Sequence, residues 1–148
     1  MRSPEPRLIG RALRLDRADG LRALRALGWL VAAGAAVRIV PYATVTRTIA
    51  RIPASRSPRG RITPDQCAVA IRRARQVWPA AHCLPQAIAG YCLLRRAGRV
   101  PFVRLGVAIA DTRFDAHAWL ECEGVTVTGG DIAHRYAPLT SSARDPTS

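Results

Sequence analysis

The apolar pattern of this chain changes period at Gly98, and that switch limits the folds open to it. Upstream, Leu21, Leu24, Leu27 and Val31 recur at spacings of three and four, with Arg22 and Arg25 on the other side. Such spacing marks one face of a helix. Downstream, residues 102–110, 116–123 and 125–128 alternate with a period of two and read as strands. Helices first and a small antiparallel sheet afterwards predict an α+β domain.

Punctuation residues place the boundaries. Asp16 or Asp19 is a suitable N-cap for a helix running to Val40, and Pro41 ends it. A shorter helix follows over 43–52, then a linker by composition, Pro53-Ala-Ser-Arg-Ser-Pro58-Arg-Gly60. Thr63 as N-cap and Pro64 at the first helical position open a helix to Val77, which Trp78-Pro79 breaks. Cys83 opens the next helix, 84–97, with Gly98 as its C-terminal stop. Glu123-Gly124 is the expected hairpin turn between the last two strands. Residues 1–10 read as frayed and 140–148 as a polar, disordered end. The organisation expected is a basic helical extension and linker over 1–60, a compact domain over 61–140 and a tail over 141–148.

At 148 residues, about half of them apolar, the chain can build a single core. Its net charge is +13, and all 23 basic residues are arginine, a choice that a GC-rich coding sequence explains. Coding bias does not explain where the charge sits. Residues 1–75 carry 16 arginines against Glu5, Asp16, Asp19 and Asp65, whereas residues 76–148 carry seven against six acids. A basic half beside a near-neutral half implies an acidic partner or a membrane surface on the N-terminal side. The apolar run over 26–37 is 12 residues, short of the roughly 20 that cross a bilayer, and reads as a buried or interfacial helix. The N-terminus lacks the apolar core of a secretory signal, so the compartment reads as cytoplasmic, with reduced thiols.

Cysteines fall at 67, 83, 92 and 122, with no CxxC spacing for a zinc knuckle or a redox pair. A thiol in the first turn of a helix meets unsatisfied N–H groups and the positive end of the helix dipole, which favour a thiolate. Cys83 and Cys67 both satisfy that test. Cys92 lies inside a helix, and Cys122 alternates with Ala116, Ala118 and Leu120 on the inward face of a strand; both read as core. Pro85 is tolerated in the first turn, and the Cys83 N–H could donate to an oxyanion. Gln66 is a second possible donor by residue type. Among His82, His117 and His134, His117 shares a strand face with Trp119 and Glu121. A lone strand histidine is usually just hydrogen-bonded; paired with a nucleophilic thiol, it would take the thiol proton and return one to the leaving amine. A third group normally orients the imidazole, and asparagine is absent from the chain. Asp131 is the first candidate. A two-residue turn at Glu123-Gly124 puts Gly130 opposite His117, so Asp131 comes into line only with a one-residue bulge, for which Gly129-Gly130 is suited. Asp115, on the His117 face, is the fallback.

Ala-His82-Cys83-Leu-Pro-Gln-Ala-Ile-Ala, Leu93-Leu-Arg-Arg-Ala-Gly98, Arg104-Leu-Gly-Val107, Ala116-His117-Ala-Trp-Leu-Glu121 and Val127-Thr-Gly-Gly-Asp-Ile-Ala-His-Arg-Tyr-Ala-Pro-Leu139 follow one another in order. Over about residues 62–139 this succession resembles the lasso-peptide leader peptidases, in the transglutaminase-like branch of papain-type cysteine enzymes. The resemblance implies a papain/transglutaminase-like α+β core with an N-terminal helical extension. It also implies removal of the leader from a ribosomally made precursor, before a separate cyclase closes the macrolactam. It makes Cys83 rather than Cys67 the nucleophile, His117 the base and acid, and an aspartate, Asp131 here, the orienter. The family's aspartate falls slightly nearer its histidine, at a position that is glycine in this chain. Some members carry a leader-recognition module with strands, which residues 1–60 do not predict. The implied partners are therefore the precursor peptide, a separate recognition protein and the cyclase, with no cofactor and no metal.

Three other readings compete with this one. A transglutaminase would use the same Cys/His pair but deliver the acyl group to an amine. A nucleic-acid-binding module would account for the arginines, but few aromatics and no binding motif accompany them. A metal site from His82, Cys83, Cys92 or His117 would need ligand spacing that the chain lacks.

Overall fold

The computed structural model describes residues 17–53, 62–110 and 113–139. The expectations of a frayed start over 1–10 and a disordered end over 140–148, and most of the expected linker, lie outside the described residues. Nine elements follow in chain order: α1 (Arg17–Ile39), α2 (Tyr42–Ala50), α3 (Pro64–Val77), α4 (Cys83–Arg96), β1 (Pro101–Ala110), β2 (Arg113–Cys122), β3 (Val125–Thr128), α5 (Gly130–Ala133) and β4 (Ala137–Leu139). Helices precede a four-stranded antiparallel sheet of order β3-β2-β1-β4, which is the α+β class expected.

Local chemistry explains the boundaries. Pro41 ends α1, and its carbonyl then accepts the N–H groups of Thr44 and Val45 to start α2. At the head of α3 a reciprocal capping box forms: Gln66 N–H donates to Thr63 Oγ1 at 3.2 Å, and Thr63 N–H to Gln66 Oε1 at 3.1 Å. Past α4, Gly98 adopts φ +81°. Its N–H reaches Arg95 O and that of Arg99 reaches Leu94 O, both at 3.0 Å, which together satisfy the last carbonyls of the helix. Glu123 and Gly124, with φ of 54° and 78°, form the tight turn between β2 and β3. Arg99 ties that turn to the helices, donating to Glu123 Oε1 at 2.7 Å and to Ile62 O at 2.9 Å.

One face of β2 is the floor of the core. Ala118, Leu120 and Cys122, with Val127 of β3, pack against Cys67, Ala70, Ile71 and Ala74 of α3 and Ala87 and Leu94 of α4. Burying side chains such as Ile71, Leu94 and Leu120 contributes about 1.5–3 kcal/mol each. Helix α4 can come this close to β2 because residue 90 is glycine; a Cβ there would stand 2.6 Å from Leu120 Cδ2. Ala26 and Leu30 of α1 belong to the same cluster, both fully buried, so α1 packs into the domain and does not stand apart from it. Its opposite face, with Leu21, Leu24, Val31 and Ile39, is exposed.

Two features were not anticipated. After β3 the chain makes the short turn of α5 and crosses the second face of the sheet to reach β4. Strand β4 pairs with β1 from Leu105↔Leu139 to Val107↔Ala137. That crossing is why residues 117–120 are all buried instead of alternating. The bulge also falls elsewhere than expected. Pairing runs Cys122↔Val125 and Glu121↔Thr126, then Leu120↔Thr128, so Val127 is the extra residue, ahead of Gly129-Gly130.

Candidate active site

Cys83 is the first residue of α4, and its side chain is half-buried. His82 is the N-cap and makes no side-chain cap. Pro85 has no N–H, and the Gln86 N–H closes on His82 O at 3.3 Å. The donors that this turn can offer to an anion are therefore the N–H groups of Cys83 and Leu84.

The other three thiols are enclosed. Cys67 is fully buried, with Sγ 3.8 Å from Gly90 O, and burial pushes its pKa up to about 12, with Cys122 adding to the effect. Burial likewise raises Cys92 to about 12 against a smaller opposing effect of Arg96. Cys122 is shifted up by burial and by the Glu123 charge, with Arg99 opposing. Position in a first turn left Cys67 and Cys83 open; packing separates them, because Cys67 faces the core. Gln66 is engaged in the capping box of α3. The side-chain amide of Gln86 donates to Ala81 O at 2.7 Å.

His117 lies on the second face of β2 and is 8% exposed. Its Nε2 is 2.8 Å from Gly129 O. A carbonyl can only accept, so Nε2 carries the proton and Nδ1 is left as the acceptor. Gly129, at φ +73°, makes this contact possible. A Cβ there would stand 2.8 Å from Ala118 O and 3.0 Å from His117 Nε2. The ring is further held by Trp119 and Tyr136, whose centroids are 6.2 and 5.0 Å away.

Tyr136 packs over the imidazole. It covers Gly106, the β1 residue paired with His117, where a Cβ would stand 2.7 Å from Tyr136 Cβ. Its hydroxyl donates to Asp115 Oδ2 at 2.7 Å. That hydrogen bond is the main reason its pKa lies above the ordinary value, with desolvation and the Asp115 charge next; Arg135 opposes, and the charge of Cys83 adds to the rise. Tyr136 is thus stacked on His117 and tied to Asp115. Sequence reasoning gave it no role, because its contacts come from the crossing between α5 and β4.

Asp115 therefore faces Tyr136. Asp131 stands in the first turn of α5, its side chain exposed, two residues beyond the carbonyl that holds His117. The imidazole contact goes to the Gly129 backbone. Further along the same face, Glu121 accepts from Trp119 Nε1 at 2.8 Å and from Arg104 Nε at 3.1 Å, fixing the indole beside the imidazole. Among the described residues no group of three or more His, Cys, Asp or Glu side chains gathers as a metal cage would require.

Helices laid on an antiparallel sheet, with a half-exposed thiol at a helix start and a strand histidine held by a backbone carbonyl, describe an α+β domain of the cysteine-enzyme type. The chain belongs to the transglutaminase-like superfamily, whose family model matches residues 27–141. That match begins inside α1, in keeping with the packing of this helix into the core. No curated protein and no solved structure matches at a significant level. The superfamily comprises cysteine peptidases and acyltransferases, and hydrolase or transferase chemistry at this general level follows from membership.

Proposed function

We propose that this protein is a cysteine peptidase that removes the leader from a ribosomally made lasso-type precursor, with Cys83 as nucleophile and His117 as base and acid. One observation carries the reading. His117 Nε2 is held by Gly129 O, which leaves Nδ1 as the acceptor that a half-exposed thiol at a helix start, Cys83, needs. The ordered blocks from His82 to Leu139 supply the substrate class.

In this mechanism the Cys83 thiol passes its proton to His117 Nδ1, and Sγ attacks the scissile carbonyl. The oxyanion that forms accepts from the N–H groups at the start of α4. Collapse breaks the C–N bond, and the imidazolium returns the proton to the leaving amine. Water, deprotonated by the same imidazole, then cleaves the thioester and frees the acid. Asp131, two residues beyond Gly129 in the chain, is the acid proposed to support His117. A recognition protein and the cyclase are the partners proposed, with the basic N-terminal half as the side they approach.

The test is incubation of wild type and Cys83→Ala with the cognate precursor and its recognition partner, followed by mass spectrometry. Wild type releases leader and core; Cys83→Ala leaves the precursor intact, and His117→Ala slows cleavage by about 10²–10⁴-fold. Equal cleavage by wild type and Cys83→Ala would end this reading. Asp131→Asn is expected to fall between wild type and His117→Ala. An added amine captured in place of water would favour the acyltransferase.

A further inference from the structure

A groove of about 610 Å³ runs between the first half of α1 and the end of α4, within the roughly 300–1,000 Å³ range of ligand clefts. Leu21, Trp29, Ile62 and Leu93 form its apolar surface, and Arg22, Arg25 and Arg96 stand around it. No acidic side chain lines it among the described residues. Asp19 lies just outside and binds Arg22 at 2.6 Å and Arg73 at 3.5 Å. Arg96 lies over the Trp29 ring at 6.0 Å, and Arg25 is exposed and forms no ion pair among the described residues. Leu21 is 49% exposed, and neighbouring Leu24 is 65% exposed.

We propose that this groove docks an acidic segment of a partner protein that also carries apolar side chains. Charge selects the occupant. Arg22 is already paired with Asp19, whereas Arg25 and Arg96 form no ion pair among the described residues and favour carboxylates, whose attraction strengthens against the low-dielectric groove wall. The chain's own remaining segments are poor candidates: residues 1–16 hold four arginines against two acids, 54–61 hold three with none, and 140–148 hold one of each and no leucine or aromatic residue. A second copy brings another +13 and is repelled. A nucleic acid would satisfy the arginines but leave Leu21, Leu24 and Trp29 without apolar contact, so an acidic segment with leucine or aromatic anchors fits better.

The groove lies at the far end of α4 from Cys83. Ten residues separate Cys83 from Leu93, about 15 Å along the helix axis. A segment bound there leaves the thiol clear, and the inference does not rest on the chemistry proposed for Cys83.

The full chain is titrated against a fluorescein-labelled peptide alternating glutamate with leucine and tryptophan, and anisotropy is read at low and high salt. Expected are saturable, salt-sensitive binding to wild type and to Cys83→Ala, and a loss of about tenfold or more in affinity for Arg25→Glu/Arg96→Glu. Replacing the apolar anchors of the peptide by alanine is expected to weaken it comparably. Arg72→Glu, on the exposed side of α3, controls for net charge, and circular dichroism controls for folding. Arg25→Gln/Arg96→Gln supplies the answer should the reversal unfold the chain. The proposal is overturned if the groove variants bind as wild type does, if Arg72→Glu costs as much as they do, or if an all-glutamate peptide or a random DNA oligonucleotide binds as tightly.

Discussion

Four thiols in one small domain differ because packing, not chemistry, separates them. Cys67, Cys92 and Cys122 are enclosed by apolar neighbours that disfavour the anion, while Cys83 keeps part of its surface at a helix start. Alkylation of the folded protein near neutral pH, read by peptide mass spectrometry, is therefore expected to modify Cys83 first; rapid modification of Cys67 or Cys92 would contradict the packing. The enclosed thiols also make stability fall in alkali. Unfolded, Cys67 and Cys92 ionise near the ordinary 9.0, whereas folded they hold their protons to about 12. The unfolded chain then releases protons first. Stability present below the lower value is lost as pH rises between the two, by up to about 1.4 kcal/mol per pH unit for each thiol. Thermal midpoints measured across that window should fall, and less steeply in Cys67→Ala than in wild type. Parallel slopes would mean that Cys67 is not the source.

At the scale of elements, most boundaries were legible because single residues impose them. Thr63, Pro64 and Gln66 are adjacent in sequence, so the start of α3 needed no distant contact. Thr63→Ala removes one capping bond and should cost about 1 kcal/mol, seen as a lower denaturant midpoint with an unchanged slope. Gly98 and Glu123-Gly124 were legible for the same reason. The bulge at Val127, the turn of α5 and strand β4 were not. Each is short and lacks periodicity, and each exists because the chain must leave β3, pass over His117 and meet β1. The orienting contact was missed with them. A backbone carbonyl has no sequence signature, and Gly129 O meets Nε2 only after the chain has turned at φ +73°.

For the whole molecule, composition suggested an extension over 1–60, yet Ala26 and Leu30 share one core with Ile71, Leu94 and Leu120. Leu30→Ala should destabilise the entire domain by about 2–5 kcal/mol in a single cooperative transition. A change confined to α1, with the melting of the sheet untouched, would show that this helix is an appendage. The sequence by itself determined the class of the fold, the order of its main elements and the residues able to do chemistry. Periodicity, caps and turn residues act over a few positions and need no partner. Only the tertiary structure decided which of two first-turn cysteines is open, what holds His117 and that Tyr136 stacks on it. Those outcomes depend on chain segments tens of residues apart meeting across the two faces of β2, and no local pattern encodes that meeting.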